Sequence, residues 1–242
     1  LVASTIPNCI AYDPCFAYEM AVIIHDGMQR MMKEQENVYY YITAMNENYV
    51  QPAMPKGVEK GIVKGMYRYS EDTAKKGEPK IQLFGSGTIL REVIAAAELL
   101  MEDFGIVADV WSATSFNELR CDALEVERWN HLNPEKPQRK SWIGQCFGDR
   151  PGPYVAATDY MKIVADQIQR WVPGTFYSLG TDGDGRSDAR KPLREHFEVD
   201  RRFIAITALN ALADDGAFDR KTVTEAIRKY GIDPDRPDPV KL

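Results

Sequence analysis

A chain of 242 residues with 44% hydrophobic and 27% charged residues has the composition of an ordinary globular protein, long enough for one large domain or for one domain and part of another. Its formal net charge of -6 argues against nucleic acid or an anionic membrane as partner, since both call for a basic surface. No stretch approaches the roughly 18 apolar residues of a membrane helix, and the opening Leu1-Val2-Ala3-Ser4-Thr5-Ile6-Pro7 has neither the basic region nor the long apolar region of a signal peptide.

The first segment reads as strand, helix, strand. Asn8 to Asp13 is short and apolar; Pro14 suits a first helical turn with Asp13 as its N-cap. Phe16, Met20, Ile23, Ile24, Gly27 and Met31 follow at helical spacing, and the β-branched and aromatic run Val38 to Thr43 predicts a buried strand. From Asn46 to about Pro79 the pattern is irregular, with Pro52, Pro55, Gly57, Gly61, Gly65 and the charged run Glu71 to Glu78. It reads as a domain boundary, with room for a short helix in Val58 to Tyr67.

Beyond it the alternation is regular. Lys80 to Phe84 is a strand, Gly85-Ser86-Gly87 a turn, and Thr88 to Phe104 a helix with one apolar stripe and Gly105 as terminator. Asp109 to Ala113 predicts a strand, Phe116 to Trp129 a helix, Ser141 to Phe147 a third strand and Tyr154 to Thr158 a fourth. Tyr160 to Val172 predicts a helix and Phe176 to Leu179 a fifth strand. Asp200 to Asp214 and Lys221 to Tyr230 are helices, and the proline-bearing tail from Asp233 to Leu242 is extended. Strands alternating with helices mean an α/β layered fold.

Residues that can carry chemistry are few. Cys9, Cys15, Cys121 and Cys146 lack the spacing of a zinc or redox motif and read as reduced, mostly buried thiols of a cytoplasmic protein. The turn Gly85-Ser86-Gly87-Thr88 can cradle an anion, but it lacks the lysine of a P-loop and the third glycine of a dinucleotide fingerprint, so it reads first as a chain reversal. Gly180-Thr181-Asp182-Gly183-Asp184-Gly185-Arg186-Ser187-Asp188 fails as a calcium loop: counted from Asp182, Arg186, Ser187 and Leu193 stand where oxygen, glycine and glutamate are needed. It is read as a glycine-rich loop, with Ser187 or Asp188 capping a short helix through His196. His25, His131 and His196 have no partner at a metal or triad spacing. The polar run Asn46-Glu47-Asn48-Tyr49, at the exit of a strand, lies where α/β sheets place ligand crevices.

Several phrases taken in order are more specific than any spacing rule: Ile6-Pro-Asn-Cys-Ile-Ala-Tyr-Asp13-Pro14, Asn37-Val-Tyr-Tyr-Tyr-Ile-Thr43, Asn46-Glu-Asn-Tyr49, Glu127-Arg-Trp-Asn130, Ala157-Thr-Asp-Tyr-Met161, and Gly180-Thr-Asp-Gly183 with Gly185-Arg-Ser-Asp188. Along the whole chain they resemble the carboxy-terminal part of the homodimeric, bacterial-type decarboxylating component of the pyruvate dehydrogenase complex, in the transketolase-like superfamily. The resemblance implies that residues 1–55 are the end of a middle, pyrimidine-binding α/β domain and 56–74 a linker. Residues 75–242 would be a transketolase carboxy-terminal-like domain, a three-layer α/β/α unit with a five-stranded mixed sheet.

It also implies a fragment, in keeping with a chain that opens on Leu1 rather than Met. The complete enzyme, a homodimer with thiamine diphosphate and magnesium, would decarboxylate pyruvate and acetylate the lipoyl group of the dihydrolipoyl acyltransferase component. The family's catalytic, cofactor-binding and metal-binding residues fall before Leu1, so none is carried onto this chain, which is expected to bind no cofactor alone and to be inactive. Asn46, Glu47, Asn48 and Tyr49 remain as substrate-channel residues. Asp184 departs from the pattern, standing where an aromatic residue is usual. The alternatives are a non-catalytic dimerisation or assembly module of the complex, and a free-standing regulator that binds an anion at the Gly85–Thr88 turn.

Overall fold

The computed structural model describes residues 1–71, 79–148, 150 and 152–241. The first strand, β1 (Cys9–Tyr12), pairs in parallel with β2 (Tyr39–Ile42), Cys9 opposite Tyr39 and Tyr12 opposite Ile42. Helix α1 (Ala17–Met28) connects them and continues into a wider turn at Gln29–Lys33. Alternate side chains of the two strands face α1: Ile10 and Tyr12 are buried with Ile23, and the Tyr12 and Tyr40 rings stack at 5.9 Å.

The helix does not start at Pro14 and Asp13 does not cap it. The chain stays extended at Phe16, which takes the N-cap place, and α1 begins at Ala17. Phenylalanine has no oxygen to offer, so the first turn's carboxylate serves instead: Glu19 accepts the backbone N–H of Cys15 at 2.5 Å and of Phe16 at 2.9 Å. Asp13, held extended by the proline that follows it, turns its carboxylate elsewhere.

The short helix expected before Tyr67 is α2 (Glu59–Lys64). It stops at Gly65, whose φ of +99° and whose closeness to the Ser115 carbonyl, 2.5 Å from any added Cβ, both require glycine. Next comes β3 (Tyr67–Ser70), within the stretch read as linker. The charged run Glu71 to Glu78 lies, after Glu71, outside the described residues.

Five strands form the second sheet: β3, then β4 (Lys80–Gly85), β5 (Val107–Ser112), β6 (Tyr154–Ala157) and β7 (Phe176–Leu179), in the order β3-β5-β4-β6-β7. All neighbours are parallel except β3, which runs antiparallel to β5, so the sheet is mixed. The strand expected at Ser141 to Phe147 is instead a helix, and β3 makes up the five. The Ser141 hydroxyl accepts the Gly144 N–H at 3.2 Å and starts the turn, while Ile143 and Phe147, four apart, bury together. An apolar run this short does not declare its period.

Helices cover both faces. Between β4 and β5 lies α3 (Leu90–Phe104), entered by a tight turn at Gly87–Ile89 and ended by Gly105 at φ +65°. Then follow α4 (Phe116–Leu132), capped by Ser115, and α5 (Trp142–Phe147). The helix expected over Tyr160 to Val172 breaks into α6 (Lys162–Asp166) and a single turn at Gln169–Trp171. Helices α7 (Arg190–His196), α8 (Arg201–Asp214) and α9 (Arg220–Lys229) complete the chain. Asp200 caps α8, whereas the cap of α7 is Ala189, with Asp188 accepting its N–H at 2.7 Å.

Each strand sorts its side chains by parity. Ile81, Leu83, Ala108, Val110 and Val155 pack under α3 and α8. Phe84, Trp111, Tyr154 and Phe176 face the opposite way, with Leu119 of α4 and Ile143 and Phe147 of α5. The result is a three-layer α/β/α unit. The tail is not simply extended: Pro239–Lys241 makes one turn, its backbone lies against Gly183, and Arg236 pairs with Glu198 at 3.2 Å. No described helix is long and apolar enough to cross a membrane.

Candidate functional site

The loops at the carboxyl ends of β4, β5, β6 and β7 face the ends of β1 and β2, and two carboxylates from the first part of the chain reach across this seam. The deeper one is Glu19, fully buried. Besides its two backbone donors it accepts the Tyr67 hydroxyl at 2.7 Å and the Ser112 hydroxyl at 2.5 Å, so α1 is tied to β3 and β5. Burial raises its carboxyl above the usual range against the pull of these four donors.

The second is Glu47, in the polar run after β2. It sits between guanidinia: Arg91 of α3 at 2.7 Å, Arg194 of α7 at 2.7 Å and Arg190 of α7 at 3.6 Å. Burial opposes its ionisation, but hydrogen bonds from Arg194 and Arg91 outweigh that cost and hold its carboxyl below the usual range. Arg194 also meets Glu92 at 3.3 Å, and Glu92 binds Arg201 at 2.9 Å, so two carboxylates and four arginines form one network.

The other three residues of the run are placed differently. Asn46 is exposed, its side-chain oxygen accepting from Arg190. Asn48 is exposed. Tyr49 donates its hydroxyl to the Cys15 carbonyl, and Arg91 stands 4.3 Å from its ring centroid. Thus Asn46, Glu47 and Tyr49 are engaged with neighbouring segments of the chain.

Two cavities open on this seam. One, of about 260 Å³, is walled by Met45, the glycine-rich loop through Asp184 and Arg186, and Arg190, Arg194 and Phe197. The other, of about 570 Å³, is lined by Tyr12, Asp13, Tyr39, Tyr41, Asn117 and Tyr160 among others. Asp13 Oδ1 accepts the Thr43 hydroxyl at 2.5 Å, while among the described residues its Oδ2 and the Asn117 Oδ1 are buried without a hydrogen-bond partner. Burial raises the Asp13 carboxyl to about 6.

The glycine turn is occupied by the protein itself. Gly87 (φ +50°) donates its N–H to the Asp13 carbonyl at 2.9 Å, and a Cβ on it would stand 2.7 Å from both Asp13 carboxylate oxygens. Such an acidic neighbour suits a chain reversal better than an anion cradle. His25 and His131 are exposed on α1 and α4, and His196 contacts Arg186. The four cysteines are free, with Cys9 and Cys15 buried, Cys146 partly buried and Cys121 exposed. Among the described residues no three His, Cys, Asp or Glu side chains are grouped to hold a metal.

The arginines were not singled out from the sequence, although a signal existed. Arg190 and Arg194 are one helical turn apart, and Glu92 interrupts the apolar stripe of α3, a place where a charge has to be paired.

The family model of the transketolase-like TK C-terminal domain matches residues 65–200, and that of the pyruvate dehydrogenase E1 component middle domain matches residues 1–52. The chain belongs to the transketolase-like family that this carboxy-terminal domain defines. A solved transketolase from Leishmania mexicana has the same fold, with a TM-score of 0.60 at 13% identity, over 88% of this chain and 26% of that one. Within the family, the chain is similar over nearly all its length to bacterial proteins named pyruvate dehydrogenase E1 component. It is 60% identical over 241 residues to that of Pseudomonas aeruginosa, covering 99% of this chain and 27% of the relative. To that of Escherichia coli K12 it is 54% identical over 237 residues, 97% of this chain and 26% of the relative. The chain therefore spans about a quarter of the length of these relatives.

Proposed function

We propose that this chain is the carboxy-terminal part of a thiamine-diphosphate-dependent pyruvate dehydrogenase, which decarboxylates pyruvate and passes the acetyl unit to the lipoyl group of a dihydrolipoyl acyltransferase. The observation that carries this is the 60% identity, over 99% of the chain, to a protein of that name. Residues 1–55 are read as the end of its middle domain and 75–242 as its carboxy-terminal domain, with 56–74 as the connection, whose β3 (Tyr67–Ser70) pairs into the carboxy-terminal sheet; the enzyme is a cytoplasmic homodimer.

The cofactor is read as bound outside this chain. A magnesium-bound diphosphate needs clustered oxygen ligands beside N–H or cationic donors. Among the described residues there is no such acidic cluster, the Asp13 cavity offers unpaired acceptors rather than donors, and the arginines nearest Glu47 already hold carboxylates. The residues present do not fit the group, which supports reading the isolated chain as inactive. Asn46, Glu47, Asn48 and Tyr49 are assigned to the wall of the substrate channel, with Glu47 fixing the run through its arginines.

Two measurements test the reading. The purified 242-residue chain, given thiamine diphosphate, magnesium and pyruvate, is expected to release no carbon dioxide; turnover would overturn the assignment of the catalytic groups elsewhere. In the full-length protein, Glu47→Gln is expected to lower turnover with the dimer intact. Loss of the dimer with undiminished chemistry per subunit would favour a purely assembling role.

A further inference from the structure

The cavity beside Glu47 has a feature that the Glu47 network does not use. Three guanidinia reach its wall, but they are not equally compensated. Arg194 is held by Glu47 and Glu92, and Arg190 by Asn46 and, at 3.6 Å, by Glu47. Among the described residues the hydrogen bond of Arg186 is to the Nδ1 of His196, at 3.3 Å, and no carboxylate comes within ion-pair distance of it. A guanidinium can only donate, so that ring nitrogen acts as acceptor, and Arg186, an exposed residue, keeps most of its N–H fork free of protein acceptors among the described residues.

We propose that this cavity is a binding site for a small monocarboxylate, held by Arg186 with Arg190 beside it. The volume, about 260 Å³, suits a ligand of a few heavy atoms. The planar fork of arginine matches a carboxylate in a bidentate pair. Met45, Leu193 and Phe197 supply an apolar wall for a short carbon chain. Asp159 and Asp184 also line the space and set the charge: a dianion such as phosphate meets two like charges, a monoanion about half that repulsion. Asp184 matters for size too. A side chain as large as an aromatic ring at its place would fill the cavity.

The site stands on this geometry alone. Naming a 2-oxo acid as its natural occupant rests on the proposed function.

Calorimetric titration of the 242-residue chain with acetate, pyruvate and inorganic phosphate tests the inference. Saturable binding of both carboxylates, tighter than phosphate, is expected. Arg186→Ala should weaken it by about tenfold or more, the range expected for losing a charged hydrogen bond. Asp184→Phe should abolish it by filling the space while leaving Arg186 in place, which gives a second reading if the alanine variant folds poorly. Far-UV circular dichroism checks each fold. No saturable binding by the unaltered chain, a preference for phosphate, or carboxylate binding unchanged in both variants would overturn the proposal. Equal binding of acetate and pyruvate would remove the 2-oxo acid assignment and keep the carboxylate site, so this failure is distinct from that of the proposed enzyme function.

Discussion

Glu19 and Glu47 make the same journey, from the β1–β2 part of the chain into the five-stranded unit, and arrive in opposite electrostatic states. Glu19 is fully buried and meets only neutral donors: two backbone N–H groups and the hydroxyls of Tyr67 and Ser112. Burial wins there, and the carboxyl is pushed up. Glu47 is partly buried and meets arginines; the guanidinia win, and its carboxyl is pushed down. Neutral donors suit a permanent joint, since they specify geometry without depending on salt. Charged partners suit a place where loops and a cavity must keep their positions beside solvent, and they are screened as ionic strength rises.

The two signs make the contrast measurable. A raised carboxyl costs folding free energy as pH climbs from its unfolded value through its folded one. A depressed carboxyl contributes stability that is fully present above the unfolded value and lost as pH falls through the folded one. Glu19 should therefore favour the fold on the acid side of its window, and Glu47 on the alkaline side of its own.

The largest effect is expected at the deeper joint. Glu19→Ala leaves two backbone N–H groups and the hydroxyls of Tyr67 and Ser112 without their acceptor. Chemical denaturation should show a loss of about 2–4 kcal/mol. A loss below about 1 kcal/mol would mean that the joint is not specified by these hydrogen bonds. Next comes Glu47→Ala, which leaves Arg91 and Arg194 facing each other across the vacated carboxylate, for about 1–3 kcal/mol at neutral pH. The difference from wild type should shrink as pH is lowered through the depressed carboxyl of Glu47. A difference that does not respond to pH would assign the effect to packing.

Asp13→Asn should act in the opposite direction. With the folded carboxyl raised to about 6 from 3.8, ionisation disfavours the fold progressively between those values. The asparagine variant removes that slope and should be more stable near pH 7 by up to about 3 kcal/mol, read from melts at several pH values. Smallest of all is Asn48→Ala, on an exposed residue, expected within about 0.5 kcal/mol of wild type. In the full-length protein that variant separates a channel role, visible in turnover, from a structural one.

The layered fold was legible where the period was long and clean. The apolar stripe of α3, its terminator Gly105, and the runs at Lys80 and Tyr154 all became the elements their spacing predicts. Ser141 to Phe147 misled because so short a run carries too little periodicity, so a capping serine and a buried i,i+4 pair decided for helix. Strand β3 was missed for the converse reason. Tyr67–Ser70 is short, begins two residues after Gly65 and pairs with β5, a distant segment. At the seam the polar run after β2 was visible, but its arginine partners were not. Glu47 and Arg194 are separated by 147 residues, and nothing local says that they meet.

That separation in the chain also orders the folding. The Ser112 hydroxyl that binds Glu19 lies 93 residues further on. A ribosome releases α1 well before β5 exists, so the Glu19 carboxylate has no Ser112 hydroxyl to bind until that strand has been made. Docking of the first part therefore waits for the five-stranded unit. That makes the joint a late, long-range contact whose strengthening should slow unfolding more than it speeds folding.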